Sequence, residues 1–107
     1  LEFRRVLVHG LVKTLSQELA ADGIRVNSVL PGWTRTERVD EILAFRAANG
    51  GLSEAEVEAS ITRDIPLGRL GRAEELANAV VFVASPAAGY ITGVALQVDG
   101  GMIRGKL

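Results

Sequence analysis

Only two stretches of this 107-residue sequence have the composition of a β-strand, and they lie far apart in the chain. The first, Ile24–Leu30, is rich in branched apolar residues, and the second, Val94–Val98, alternates in the two-residue period of a strand. A helical segment leads directly into the first strand and Pro31-Gly32 ends it, which is typical of an α/β protein with a parallel sheet. Parallel sheets are normally buried on both faces by more strands and helices than this chain offers, so the sequence predicts part of a fold.

Helical periodicity predicts the structure of most of the remaining residues. Apolar residues from Val8 to Leu19 recur at spacings of three and four and predict an amphipathic helix, which Gly23 ends as a left-handed cap. Two short surface helices are predicted next, one over residues 36–48 and one beginning at the capping-box sequence Ser53–Glu56. A strongly amphipathic helix over residues 72–84 precedes the second strand. The predicted order is helix, strand, two short helices, helix and strand in one domain.

Composition and charge argue against several classes of function. A net charge of -1 gives no electrostatic basis for binding nucleic acid or an anionic membrane. The longest apolar stretch, residues 77–84, is much shorter than the ~20 residues that span a bilayer. The chain has no cysteine, which fits a reducing compartment, and we expect a cytoplasmic location. His9, the only histidine, has no partner for a catalytic triad or a metal, so no metal site is predicted.

Several longer motifs follow one another along the chain. They are Gly10–Leu15, Gly23–Gly32, Pro66–Leu76, Ala84–Pro86, Tyr90–Gly93 and Val98–Gly101. In this order they closely resemble the C-terminal half of short-chain dehydrogenases/reductases, and among these the 3-oxoacyl-[acyl-carrier-protein] reductases. The resemblance implies the C-terminal part of a Rossmann-type, three-layer fold, with residues 1–107 as a single partial domain. It also implies a family that binds NAD or NADP and moves hydride between nicotinamide and a carbonyl or alcohol.

The positions that carry catalysis in this family are changed in this chain. By the family's spacing, its proton-donating tyrosine falls at Leu1 and its lysine at Arg5. Leucine has no ionisable group, and arginine differs from lysine in geometry and pKa. The family's glycine-rich pyrophosphate loop and active-site serine also do not occur in the 107 residues. We therefore predict no catalytic residue here, a truncated chain that is inactive alone, and poor dinucleotide affinity without the rest of the fold.

The loop after the first strand corresponds to the family's nicotinamide loop. The resemblance places Pro31, Gly32, Thr34 and Thr36 against the cofactor and Trp33 in the cofactor or substrate pocket. The alternative is that Thr34 and Thr36 cap the following helix, since Thr34 and Glu37 have capping-box spacing. Residues 38–63 correspond to the family's substrate lid.

Two interpretations of the whole chain remain open. It is a fragment of an NAD(P)-dependent short-chain oxidoreductase, or a non-catalytic, self-associating α/β module. In either case we expect a homo-oligomer formed through helix 72–84, strand 94–98 and the first helix, with a separate N-terminal half as a second candidate partner. Tyr90 lies in a family motif, so we interpret it as a packing residue rather than a proton donor.

Overall fold

The computed structural model describes residues 2–104, apart from the side chains of Glu2, Phe3 and Arg5. Within these residues the chain forms helices and short strands in the order that the periodicity predicts, with two additional small strands. The elements are α1 (Glu2–Leu19), β1 (Ser28–Pro31), β2 (Thr34–Arg35), α2 (Glu37–Gly50), α3 (Glu54–Thr62), β3 (Gly71–Arg72), α4 (Ala73–Ala84) and β4 (Ala95–Val98).

The two predicted strands pair with each other in parallel. β1 lies beside β4 in a register that places Ser28 opposite Ala95 and Pro31 opposite Val98. The other edge of β1 pairs with no strand among residues 2–104. The prediction of a partial parallel α/β sheet is therefore confirmed.

The first strand is shorter than predicted, because residues 24–27 are held mainly by side-chain hydrogen bonds, together with one backbone bond from the Gly93 amide to the Val26 carbonyl at 2.7 Å. The Val26 amide donates to Thr92 Oγ1 at 3.0 Å. The Asn27 side chain donates to the Ile91 carbonyl at 3.1 Å and accepts from the Val94 amide at 3.1 Å. This segment thus runs beside the turn before β4, and the regular ladder begins only at Ser28.

Arg25 ties the same segment to the end of α4. Its guanidinium donates to the carbonyl oxygens of Val83 at 2.8 Å, Ile91 at 3.1 Å and Ser85 at 3.1 Å. The last carbonyls of a helix have no partner within the helix, so Arg25 satisfies groups that would otherwise need water. It thereby fixes α4 relative to the start of β1.

A second parallel pair, β2 with β3, was not expected from the sequence. Thr34 lies opposite Gly71 and Arg35 opposite Arg72. The Gly71 amide also donates to the Trp33 carbonyl at 2.9 Å. Strands of two residues are too short to produce an alternating pattern, which is why the sequence analysis missed them.

Local capping rules describe the helix ends well. Gly23 is left-handed with φ 75°, as predicted for the end of the first helical segment. α3 begins with the predicted capping box between Ser53 and Glu56. α4 begins at Ala73, within one residue of its predicted start, and ends at Ala84 as predicted.

The main buried cluster lies between the two helices that were predicted to be surface helices. It consists of Val39, Leu43, Val57, Ile61, Ile65 and Leu70, with Trp33, Ala47 and Met102 packed against it. The surface description of α2 and α3 is therefore wrong for their inner faces. Charged residues stand between these apolar positions in the sequence, so the pattern did not predict a buried helix face.

Large apolar side chains on the outer helices remain exposed. Leu11 on α1 is 59% exposed and Val81 on α4 is 66% exposed. The radius of gyration is 16.8 Å, whereas a compact chain of this length has about 13 Å. The fold is elongated because the sheet and the outer helices lack the layers that cover them in a complete three-layer fold.

Candidate functional site

The loop that follows β1 is held in place by a close approach between two backbones. A Cβ atom on Gly32 would lie 2.6 Å from Asp99 Cβ and 2.7 Å from Asp99 Cα. The Gly32 amide donates to the Val98 carbonyl at 3.0 Å, which extends the β1–β4 ladder into the loop. Only glycine fits this position without moving the backbone.

Asp99 forms the opposite wall of the site. Its carboxylate accepts from the Gly101 amide at 2.9 Å and from the Ile103 amide at 3.2 Å. Gly100 and Gly101 both have positive φ, 65° and 88°, which lets the chain turn sharply here. Asp99 was not predicted to be a site residue, since in the sequence it is only one member of the motif Val98–Gly101. The signal available in the sequence was the Asp-Gly-Gly run directly after a strand.

The two threonines of the loop form different hydrogen bonds. Thr36 is the N-cap of α2, and its Oγ1 accepts from the Val39 amide at 3.3 Å. Thr34 is buried, and its hydroxyl donates to the Gly32 carbonyl at 3.2 Å. The capping interpretation is therefore confirmed for Thr36 and wrong for Thr34. A threonine hydroxyl that accepts a hydrogen bond still has its own proton to donate, so Thr36 retains a free donor.

Trp33 connects the loop to the core. Its indole packs against the buried cluster between α2 and α3. The Arg46 guanidinium carbon lies 5.5 Å from the centre of an indole ring, which is a cation–π distance. Trp33 is therefore held between the core and a cation, with part of its surface left facing outward.

The structure brings all five sequence-predicted site residues into the wall of one cavity. Its volume is about 480 Å³, within the range of small-ligand sites. The wall residues are Pro31, Gly32, Trp33, Thr34, Thr36, Val39, Leu76, Asp99, Met102 and Ile103. A second cavity of about 480 Å³ shares Trp33, Thr34, Leu76 and Asp99 with the first. Most of the first cavity's wall is apolar, with the loop and Asp99 supplying its polar groups.

An ion pair lines the second cavity. Arg69 donates to the Glu75 carboxylate in bidentate fashion at 2.7 and 2.9 Å. The Arg72 amide donates to the same carboxylate at 2.9 Å. The Arg69 guanidinium, followed by the Arg72 amide, lowers the pKa of Glu75 to about 2. Glu75 is therefore ionised at any physiological pH and is unsuited to act as an acid.

The remaining candidate residues lie apart from the cavity. The Tyr90 side chain is fully exposed, so the prediction that it packs within this chain is wrong. His9 Nε2 is buried without a hydrogen-bond partner in the described part of the chain.

Among residues 2–104 no group of three His, Asp or Glu side chains could hold a metal ion. Leu1 and the Arg5 side chain lie outside what the structure describes. No helix among the described residues is long and apolar enough to cross a membrane.

Comparison with known proteins gives a consistent set of relatives. Residues 4–103 match the model of a protein family described as enoyl-(acyl carrier protein) reductase. The chain is 47% identical over 93 residues to the 3alpha-hydroxysteroid dehydrogenase of Mediterraneibacter gnavus, covering 87% of this chain and 33% of that protein. It is 44% identical over 94 residues to the 3-oxoacyl-[acyl-carrier-protein] reductase FabG of Rickettsia felis, covering 88% and 34%. The chain thus spans about a third of the length of these curated relatives.

Solved structures agree with the sequence relatives. A short chain dehydrogenase family protein from Francisella tularensis superimposes with a TM-score of 0.84 at 31% identity, over 90% of this chain and 40% of that one. A putative 2-deoxy-d-gluconate 3-dehydrogenase from Agrobacterium tumefaciens, solved with bound NADP, has a TM-score of 0.70 at 42% identity. The match covers 89% of this chain and 35% of the Agrobacterium protein's chain.

Proposed function

The chain belongs to the short-chain dehydrogenase/reductase family, and we propose that it forms the C-terminal, cofactor-facing part of an NAD(P)-dependent oxidoreductase. The reaction we propose for the complete protein is hydride transfer between nicotinamide and a carbonyl or alcohol. The observation that carries the proposal is the gathering of Pro31, Gly32, Trp33, Thr34 and Thr36 in one cavity wall. The relative solved with bound NADP supports the nicotinamide cofactor.

The residues of the loop fit a planar, amide-bearing ring. The missing side chain of Gly32 lets the Asp99 turn approach the loop closely, and Pro31 has no N–H to leave unpaired. Thr36 has a free hydroxyl proton that can be donated to a carboxamide oxygen. Trp33 and the apolar wall around it offer an apolar surface to the face of the ring. When bound, the cofactor would supply or accept the hydride, and these residues would hold and orient its nicotinamide end.

The proton that accompanies the hydride needs a donor other than the residues of this cavity. The family's tyrosine and lysine positions are Leu1 and Arg5 in this sequence. Tyr90 is fully exposed and lines neither cavity, so it does not replace that tyrosine. We therefore propose that this chain alone binds dinucleotide poorly and does not complete the reaction.

We propose that residues 38–63 act as a lid over the cavity. They contain most of α2 and all of α3, and Val39 of this segment lines the cavity beside Thr36. α2 starts directly at the loop, because Thr36 is its N-cap. A movement of α2 would therefore change the shape of the cofactor-facing wall.

The exposed apolar faces support partners for this chain. Val81 and Phe82 on α4 are 66% and 48% exposed, and Leu96 on β4 is 37% exposed. We propose that helix 72–84, strand 94–98 and the first helix bind further copies, and that the free edge of β1 accepts an N-terminal half. A non-catalytic, self-associating module is the alternative, and the same faces support it. We also propose a cytoplasmic location, since the sequence contains no cysteine.

Variants at Thr36 separate a cofactor contact from a helix cap. Asparagine retains both a cap acceptor and a donor, aspartate retains only the acceptor, and alanine retains neither. We expect Thr36→Asn to preserve helix content and cofactor affinity, and Thr36→Asp to preserve only helix content. Thr36→Ala should lose both, with affinity reduced about three- to tenfold, the usual effect of one neutral hydrogen bond.

The assay is quenching of Trp33, the only tryptophan, by NADH and by NADPH. It is run on the chain alone and together with a separately supplied N-terminal half that contains the glycine-rich loop. Light scattering and intact mass on each sample establish which assembly is present. Quenching that appears only with the second chain supports the proposal. Thr14→Ala serves as control, because Thr14 is exposed on α1 and lines neither cavity. If neither cofactor quenches Trp33 in the verified assembly, the oxidoreductase proposal fails and the module alternative stands.

A further inference from the structure

Arg35 connects the candidate cofactor loop to both lid helices. Its Nη1 donates to Asp40 Oδ1 on α2 at 2.9 Å. Its Nη2 donates to Glu58 Oε1 on α3. The hydrogen bonds from Glu58 and then Asp40 hold the pKa of Arg35 above its ordinary value, so the charge is permanent. One guanidinium thus bridges two separate helices.

The backbone of Arg35 is a fixed point in the fold. It belongs to β2, which is paired in parallel with β3, and the adjoining Trp33 carbonyl accepts from the Gly71 amide at 2.9 Å. β3 leads directly into α4, where the Arg72 amide is capped by Glu75. The Arg35 side chain therefore extends from a rigid element toward the lid.

The attachment of α3 to the rest of the chain is otherwise apolar. Val57 and Ile61 bury its inner face in the cluster shared with α2. Among the described residues, the side chains of α3 form hydrogen bonds within residues 53–62. The bond between Glu58 and Arg35 is the one exception in that set. Removing Arg35 would leave α3 held by its two buried side chains.

We propose that Arg35 is a positioning residue, an ionic latch that holds α2 and α3 to β2, next to the loop Pro31–Thr36. This inference rests on the proposed function, because a lid requires a site to cover. The paired side chains are 36–59% exposed, so each bond is weak and easily broken, which suits a segment that opens. Arginine can serve both carboxylates at once because its donors form a planar fork, whereas lysine presents a single point charge.

Hydrogen exchange on the cofactor-free chain tests the latch directly. We expect Arg35→Ala to speed amide exchange in α3 by about fivefold, the effect of losing one or two exposed pairs. α4 should be unchanged. The effect should shrink in 1 M NaCl, where the Debye length is about 3 Å. The matched control is Arg38→Ala, because within the described residues Arg38 pairs only with Glu41 on its own helix, at 3.6 Å.

A charge exchange distinguishes a latch from a general loss of stability. Arg35→Glu combined with Glu58→Arg and Asp40→Asn should restore slow exchange in α3, because the Asp40 change removes the carboxylate that the new glutamate would otherwise face. Arg35→Glu alone should accelerate it. The latch is refuted if Arg35→Ala leaves α3 unchanged, if it accelerates α3 and α4 equally, or if the exchanged set gives no rescue. No cofactor is present, so this result is independent of the Trp33 titration, and either proposal can fail without the other.

Discussion

Replacing Gly32 by alanine tests whether the loop and the Asp99 turn form one packed unit. The added Cβ would lie 2.6 Å from Asp99 Cβ and 2.7 Å from Asp99 Cα. Favourable carbon–carbon contacts are about 3.5–4.0 Å, so the two segments must separate by about 1 Å. Backbone and Cβ atoms have no rotamer that would relieve the clash, and the backbone itself has to move.

The energetic cost follows from that movement. Overpacking of a closely packed site costs about 1–3 kcal/mol. A separation of this size also stretches the hydrogen bond from the Gly32 amide to the Val98 carbonyl, now 3.0 Å, whose loss costs about 1 kcal/mol. We therefore expect Gly32→Ala to lower the free energy of unfolding by about 2–4 kcal/mol.

Urea unfolding, followed by circular dichroism and by Trp33 fluorescence, measures this difference. With a denaturant slope of about 1–3 kcal/mol/M, the midpoint should fall by about 0.7–4 M. Gly10→Ala is the matched control, because a Cβ on Gly10 meets no atom within 4 Å. It lies inside α1, where alanine should instead stabilise by about 1 kcal/mol.

Close packing of Gly32 against Asp99 is ruled out if Gly32→Ala unfolds at the same midpoint as the unchanged chain while Gly10→Ala behaves as expected. That outcome would mean that the loop can shift away from Asp99 without cost. The loop would then not be preorganised by its contact with the C-terminal turn.

Two further substitutions test polar contacts elsewhere in the fold. Arg25→Lys should lower the free energy of unfolding by about 1–2 kcal/mol in urea, because lysine cannot reproduce the fork that serves three carbonyl oxygens. Exposed Arg4→Lys should have no effect, and equal midpoints for the two variants would contradict the role of Arg25. Glu75→Gln should destabilise the chain at neutral pH, because the Glu75 pKa is lowered to about 2 from 4.5. The stabilisation by the carboxylate is complete above about pH 4.5 and is lost as pH falls through about 2, so thermal unfolding of the two proteins should converge in that range. A difference that stays constant from pH 7 to 2 would rule out the Arg69 pair as its cause.

Local sequence rules predict the elements that are determined locally. Gly23 ends the first helical segment and Ser53 with Glu56 starts α3, because these caps depend on a few neighbouring residues. The parallel pairing of β1 with β4 also follows from the order of elements. What these rules could not predict was where the chain would bury its apolar side chains. Val39 and Val57 face one another only after two separate helices have folded together.

The candidate site likewise combines residues that are neighbours in the sequence with residues that are far apart in it. The five loop residues were found because the resemblance identifies a continuous segment after a strand. The opposite wall comes from Asp99, Met102 and Ile103, more than 60 positions later in the chain. Only the β1–β4 register brings these residues beside Gly32, and no short-range pattern reports that register. The residues of one cavity wall can therefore be predicted from the sequence, whereas those of the other wall cannot.

The distribution of buried surface explains why the candidate site is formed even though much of the sheet is uncovered. Trp33 and Met102 pack against the cluster between α2 and α3, so the same packing that stabilises these two helices also holds both cavity walls. α1 and the outer face of α4 contribute little to that cluster and keep their apolar side chains exposed. Burying those faces against another chain segment should therefore add stability without rebuilding the loop. The loop wall of the cavity is thus held by packing within this chain. Under the proposed function, the dinucleotide affinity of an assembly should depend mainly on what the partner segment adds.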